Sequence, residues 1–369
     1  MKILVTGAKG FVGKNLISTL NTLKTHTIYE VDLDTTSEEL ETYAQSCEFV
    51  YHLAGVNRPE NPEEFMKGNF GFTSTLLELL EKYENKSPVV ITSSIQAALD
   101  NPYGQSKKAG EDLMFSYGEK HQVPVYVFRL YNLFGKWSRP NYNSVVATFC
   151  HNISHDLPIQ ITNPLATVEL CHIDDVVDEF VQALSGNVIK DGNFCVVPET
   201  TKVSLQDLSD KLNAFRQTRS NLHLPVFASR FDRQLYGTYL SYLETDNFAY
   251  PLKKNTDQRG WLAEFIKSPD FGQVFVSKTF PGITRGNHWH HTKAEKFLVI
   301  QGKGEIKFRN IFSDDVIVYP VDGEVPTVLD IPTGYTHCIT NTSDTDLITL
   351  FWATEIFDPA HPDTIYQEV

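Results

Sequence analysis

The sequence lacks any run of about 18 apolar residues, so no stretch reads as a membrane-spanning helix and a soluble protein is expected. It also lacks a C-x-x-C pair. Its five cysteines, Cys47, Cys150, Cys171, Cys195 and Cys338, are odd in number and far apart, a pattern of reduced thiols and not of a disulfide framework. There is no basic excess: 32 Lys and Arg against 46 Asp and Glu give a net charge of -14, which repels phosphodiester backbones and anionic lipid surfaces. Nucleic acid and membranes are therefore poor partners, although local cations can still hold a nucleotide diphosphate in a cleft. The first residues, MKILVTGAKG, carry neither a signal-peptide apolar region nor a cleavage site, and with the thiols this gives a cytoplasmic expectation.

What is present divides the chain in two. At 369 residues it is long enough for two domains with separate cores, and the pattern of elements changes near residue 245. The division expected is 1–245 and 246–369. In the first part, KILVTG reads as a strand, and the apolar spacing of FVGKNLISTLNTL as a helix, with Gly7, Gly10 and Gly13 in G-x-x-G-x-x-G between and within them. Glycine there admits a pyrophosphate to the backbone and to the helix N-terminus. A second strand, HTIYEVD, ends at Asp32, placed to accept hydrogen bonds from an adenosine ribose. Lys9 favours a ribose 2′-phosphate and Asp32 opposes one; the balance leans to NADPH, with NADH as the alternative.

Strand and helix then alternate through FVYHLAG, TSTLLELLEKY and VVITSS, the pattern of a doubly wound parallel α/β sheet of Rossmann type. After Ser93 and Ser94 come Tyr103 and, one helical turn on, Lys107. An ammonium on the same helix face can lower the phenol's pKa, a phenol can protonate a carbonyl under reduction, and a serine hydroxyl can hold the carbonyl oxygen. These motifs, with HLAG, RLYNLFG and CHIDDVVD in order, resemble the extended short-chain dehydrogenase/reductase family over residues 1–245. The resemblance implies Ser94, Tyr103 and Lys107 as catalytic residues. It implies a cofactor cradle of Gly7, Lys9, Gly10, Phe11, Val12, Gly13, Asp32, Leu53, Ala54 and Gly55, with Tyr103 and Lys107 reaching the nicotinamide half. Eight residues separate Ser94 from Tyr103, a shorter loop than in many sugar-nucleotide members. Asn132, Lys136, Arg139 and Asn143 offer polar and cationic groups for the diphosphate of a nucleotide sugar, against an ordinary solvated loop as the alternative.

Beyond residue 245 short strands follow one another without helices, as in a sandwich or small barrel. Gly282, His288, His290, Glu295 and Gly302 reproduce the first cupin motif, and PTGYTHCITN carries most of the second, with Pro326 where that motif has a glycine. The strand period puts His288 and His290 on one face and His291 on the other; Glu295 and His337 can join the first pair. Three imidazoles and a carboxylate suit one divalent metal, zinc being expected. DQRGWLAEF, GITRGNHWH and ATEIFDPAH also resemble sugar-nucleotide epimerases built on cupin barrels, where the histidine matching His288 acts as a base, so ligand and base remain alternatives for it.

A ketone reductase and a keto-sugar epimerase on one chain share a 4-keto sugar nucleotide, and epimerisation must come first because reduction removes the ketone. The whole chain resembles the CapF-type enzymes of capsular polysaccharide synthesis. That implies C3 epimerisation of a UDP-2-acetamido-2,6-dideoxy-4-hexulose, then NADPH-dependent C4 reduction, in a homodimer. A one-step reductase with a structural or dimerising cupin is the alternative.

Overall fold

A computed structural model describes residues 1–59, 61 and 63–369. Two compact units emerge: Met1–Leu212 with Ser229–Glu244, and Asn213–Ala228 with Thr245–Val369. The second unit thus takes in the segment 213–228, which a contiguous division at 245 assigns to the first. Within that unit, Leu222 and Leu224 exchange backbone hydrogen bonds of 2.8 Å with Lys267, which adds the segment to the edge of a strand.

In the first unit a seven-stranded sheet runs in the order Thr27–Val31, Lys2–Thr6, Phe49–His52, Val89–Ser94, Val125–Leu130, Phe194–Cys195, Lys190–Asp191. All neighbours are parallel except the last pair. The strand order reverses at Lys2–Thr6, so the crevice beyond the carboxyl ends of the strands opens beside the glycine turn. Alternation along the strands divides the core. Ile3, Val5, Phe49 and Tyr51 face Leu16, Leu20, Val176 and Phe180 of the helices Phe11–Leu23 and Ile173–Ala183. Leu4, Val50 and Val89 face Leu40, Leu76, Leu80 and Met114 of the helices Ser37–Ser46, Phe72–Lys82 and Pro102–His121. Burial on both faces explains why these strands are short continuous apolar runs.

The second unit has two antiparallel sheets, of six and five strands. Phe297, Val299, Leu329, Ile331, Leu347 and Phe351 from the first pack against Ile306, Phe308, Val321 and Ile339 from the second, so the core lies between the sheets. Strand alternation sends every second residue into that layer. All five cysteines are buried free thiols.

Candidate functional site

The glycine turn is shaped by contacts that a side chain would abolish. Gly7 has φ +68°, and a Cβ on Gly13 would lie 2.2 Å from the Gly7 carbonyl oxygen, closer than any carbon tolerates. Gly10 caps the helix Phe11–Leu23 without a side-chain hydrogen bond, and the first turn carries no acid. Its N–H groups and positive dipole end are left for an anion. At the far side of the turn Asp32 accepts from the backbone N–H of Lys9 (2.7 Å) and of Leu33 (2.9 Å). Lys9 itself is held by Asp34, at 2.5 Å, which with the charges of Asp32 and Glu30 raises its pKa.

The residues after Phe49–His52 are fixed by one directional chain of hydrogen bonds. The Ala54 N–H donates to the Thr6 hydroxyl (3.2 Å), Thr6 lies 2.8 Å from Nδ1 of His52, and Nε2 of His52 lies 2.8 Å from the Thr73 hydroxyl, which donates to the Asn69 carbonyl (2.6 Å). Because Thr73 spends its proton on Asn69, His52 carries its own on Nε2 and accepts at Nδ1. The Asn69 amide clamps Val56 at both its N–H and its carbonyl (2.8 and 3.1 Å) and donates to Ser106 (3.0 Å), on the helix that carries Tyr103. Gly55 then lies so near this helix that a Cβ would stand 3.1 Å from Nζ of Lys107.

That helix, Pro102–His121, starts sharply because Asn101 accepts from the Gly104 N–H and proline occupies the first turn. Lys107 is one turn beyond Tyr103, its Nζ 5.9 Å from the ring centroid and 3.2 Å from the Thr92 carbonyl oxygen. Burial lowers the Lys107 pKa to about 8, against the charge of Glu111. Burial likewise raises the Tyr103 pKa, the Ser94 hydroxyl hydrogen-bonded to the phenol opposes this, and Tyr142 adds to it. The lowering expected from Lys107 is not seen; desolvation dominates and leaves the phenol protonated at neutral pH. Ser93 is engaged elsewhere: it donates to buried Glu111 (2.6 Å), which Arg129 grips through two nitrogens at 2.8 and 2.6 Å.

Of the four residues expected at a diphosphate, Lys136 is paired with Asp174 (2.7 Å) and Asn132 donates to the Glu169 carbonyl (3.1 Å). Arg139 lies over the Tyr142 ring at 5.4 Å, and Asn143 is exposed on the same loop. Tyr142 of that loop is near enough to act electrostatically on the Tyr103 phenol, raising its pKa. Tyr142 carries no motif signal, and only the fold brings it here.

In the second unit His288, His290, Glu295 and His337 present ligand atoms within 4.8 Å of one another. His288 and His337 are cross-strand partners in the five-stranded sheet, whereas Glu295 opens a strand of the other sheet, so the cluster sits between the two. A bulge at Gly286–His288 re-aims the first histidine; Gly286 has φ +97° and Asn287 φ +59°. Nε2 of His290 and of His337 each lie 3.4 Å from Oε2 of Glu295. Burial would raise the Glu295 pKa, but the His290 and His337 imidazoles close beside it override this and hold the carboxyl well below its usual range. Burial and the two neighbouring imidazoles lower His288 to about 4.

These donors fit a divalent metal. Both Nε2 atoms are buried without a hydrogen-bond partner. The Nδ1 atoms face backbone carbonyls, of Asp363 for His290 and of Tyr335 (3.3 Å) for His337, so the lone pairs of Nε2 point into the cluster. Asp363 had no sequence signal. Its carboxylate accepts from the backbone N–H of His291, Thr292 and Lys293 at 2.8 to 2.9 Å, which ties down the loop between His290 and Glu295. Lys293 is buried with Nζ 3.8 Å from Glu295, while His291 is exposed.

Known proteins match both parts of the chain. Residues 3–194 match the NAD dependent epimerase/dehydratase family and residues 255–365 the polysaccharide biosynthesis C-terminal domain. The chain is 44% identical to the UDP-2-acetamido-2,6-beta-L-arabino-hexul-4-ose reductase of Pseudomonas aeruginosa over 99% of its own length and 98% of that protein's. It superposes on the capsular polysaccharide assembling protein CapF of Staphylococcus aureus with TM-score 0.95 and 48% identity, covering all of both chains. It belongs to the CapF-type branch of the NAD dependent epimerase/dehydratase family. A CapF structure with the inhibitor 3-isopropenyl-tropolone aligns along the full length at 43% identity and TM-score 0.90. The UDP-glucuronic acid 4-epimerase of Bacillus cereus shares the fold over 66% of this CapF-type chain and 96% of its own, at 18% identity and TM-score 0.54.

Proposed function

We propose that this CapF-type protein is a bifunctional nucleotide-sugar enzyme, a 4-ketoreductase in its first unit and a C3 epimerase in its second. The observation that carries the reading is the presence on one chain of Ser94, Tyr103 and Lys107 beside a dinucleotide turn, and of a buried His–His–Glu–His cluster. The name of the P. aeruginosa relative supplies the substrate: a UDP-2-acetamido-2,6-dideoxy-4-hexulose. In the reductase site the glycine turn would hold a reduced nicotinamide dinucleotide, which when bound would supply the hydride for C4. Tyr103 donates its proton to the C4 oxygen, Ser94 holds that oxygen, and Lys107 supplies positive charge beside the phenol and the ribose. Arg139 and Asn143 take the sugar nucleotide's diphosphate, joined by Lys136 and Asn132 once they leave Asp174 and Glu169.

The second unit is a cupin barrel in this reading. His290, Glu295 and His337 hold a divalent metal, zinc first among candidates, with His288 as fourth ligand or as the base that removes the C3 proton. When bound, the metal polarises the neighbouring ketone and makes the C3 proton acidic. Epimerisation precedes reduction, and the product is UDP-2-acetamido-2,6-dideoxy-L-talose, on the route to UDP-N-acetyl-L-fucosamine for capsule. A nucleotide-sugar substrate and free thiols support a cytoplasmic location, and no helix is long and apolar enough to cross a membrane among the described residues. A homodimer would cover the edge strand Val316–Asp322, whose Val316, Ile317, Val318 and Tyr319 are each about half exposed; sedimentation velocity of the full chain tests it.

The deciding experiment is NMR of the 4-keto sugar incubated with the protein in deuterated water, with and without reduced cofactor. Deuterium at C3 without cofactor, and a 4-hydroxy product with it, are expected. Reduction with no exchange leaves a one-step reductase and removes the epimerase.

A further inference from the structure

Tyr103, Lys107 and Glu111 follow one another at intervals of four on the helix Pro102–His121, so the three share a face. The first two belong to the reductase site, whereas the reduction itself has no use for a third charged group. Glu111 is nevertheless 1% exposed and fully engaged. Ser93, the residue before Ser94, donates to it at 2.6 Å, and Arg129, the cross-strand partner of Ser93, grips it at 2.8 and 2.6 Å. The guanidinium is wedged in turn: its carbon lies 3.6 Å from the Phe194 ring centroid, and Phe194 meets Phe115 of the same helix edge-on at 5.6 Å. A buried ion pair contributes little net stability over apolar groups of the same shape, so stability alone gives no reason for a carboxylate here. Its place one turn beyond Lys107 does.

We propose that Glu111 is a positioning residue of the reductase site, gripped by Arg129 and Ser93 so that its carboxylate keeps the Lys107 ammonium charged and ties the strand that bears Ser94 to the helix that bears Tyr103. The inference rests on the reductase reading. Burial drives Lys107 toward the neutral amine, to a pKa of about 8, and the charge of Glu111 opposes that loss. The Tyr103 phenol is raised above its ordinary value, so as pH rises Lys107 gives up its proton first, and with it the positive charge beside the phenol. The other charged groups nearby do not replace Glu111. His52 is kept neutral by burial and by Lys107, and Asp112, exposed on the same helix, acts on Arg129.

The test is the pH profile of kcat/KM for cofactor oxidation by the full chain with the 4-keto sugar, between about pH 6 and 10. Glu111→Gln keeps the size of the side chain and an acceptor for Ser93 but removes the charge. Its alkaline limb should move about one pH unit toward acid, a loss of about tenfold in kcat/KM above about pH 9. Glu111→Asp and Ser93→Ala retain the charge and should leave the limb where it is, whatever they do to the rate. Arg129→Met removes the competing cation and should move the limb the other way. A pair that only braced the fold would give one profile, scaled down, in all four. An unshifted limb in Glu111→Gln, or in Arg129→Met should the first not fold, would overturn the inference and leave the reductase reading intact. Failure of both to fold would make the pair structural and overturn it as well. Wild-type protein that oxidises no cofactor with this sugar would overturn both readings.

Discussion

Tyr103 and His52 are both governed by desolvation, with opposite uses. Burial keeps the Tyr103 phenol protonated, the form needed to donate to an alkoxide, while the Ser94 hydroxyl pulls its pKa the other way. Tyr103→Phe should reduce cofactor oxidation by a factor of about 10² to 10⁴, measured by absorbance at 340 nm, while the thermal midpoint changes little. His52 serves structure. Its pKa is lowered to about 3 by burial and by the charge of Lys107, against an ordinary 6.5. The unfolded chain therefore takes up the proton first, and stability present above pH 6.5 is lost as pH falls toward 3. Urea titrations at pH 7 and pH 5 should show the loss, a kcal/mol or more; in His52→Gln the slope over that range should flatten.

Elements position these residues through close approach. The helix Phe11–Leu23 meets the turn before it only because Gly13 has no Cβ, so Gly13→Ala should cost about 1–3 kcal/mol and weaken dinucleotide binding, read by chemical denaturation and calorimetry. In the second unit the segment around Asp363 acts as a strap: its carbonyl orients His290, and its carboxylate gathers three backbone N–H groups of the loop that leads to Glu295. Burial would raise the Asp363 pKa, and those N–H groups pull it well below the normal range instead. Asp363→Ala should weaken metal binding about 10–100-fold, as loss of groups that orient ligands does, measured by competition with a chelator. His290→Ala with His337→Ala should abolish stoichiometric metal, checked by elemental analysis.

At the scale of the whole molecule the two candidate sites sit on separate units with separate cores, which makes the two proposed chemistries separable by experiment. Chelation should end deuterium exchange into the keto sugar and leave cofactor affinity as it was. Tyr103→Phe should do the reverse, with exchange within a factor of about two of wild type and no reduction. Loss of both activities in either case would refute the division of labour.

Much of this organisation was legible in one dimension because it is set by local periodicity and fixed spacing. The strand VVITSS lies where its apolar run ends, at Val89–Ser94, and QVFVSKTF, KFLVIQG and LITLFWAT fall within a residue or two of Gly272–Thr279, Glu295–Gln301 and Leu347–Ala353. A period of two separated His288 and His290 from exposed His291, and a helical turn put Lys107 above Tyr103. Partnership between distant residues has no such signature. That Lys9 is held by Asp34, that Lys136 is held by Asp174, that Tyr142 acts electrostatically on the reactive phenol and that Asp363 straps the histidine loop are outcomes of packing. The sequence by itself determined which groups each unit carries and the turns and strands that hold them. Only the tertiary structure decided their charge, their hydrogen-bond partners and which cations are available, because burial and the nearest opposite charge act across the fold and not along the chain.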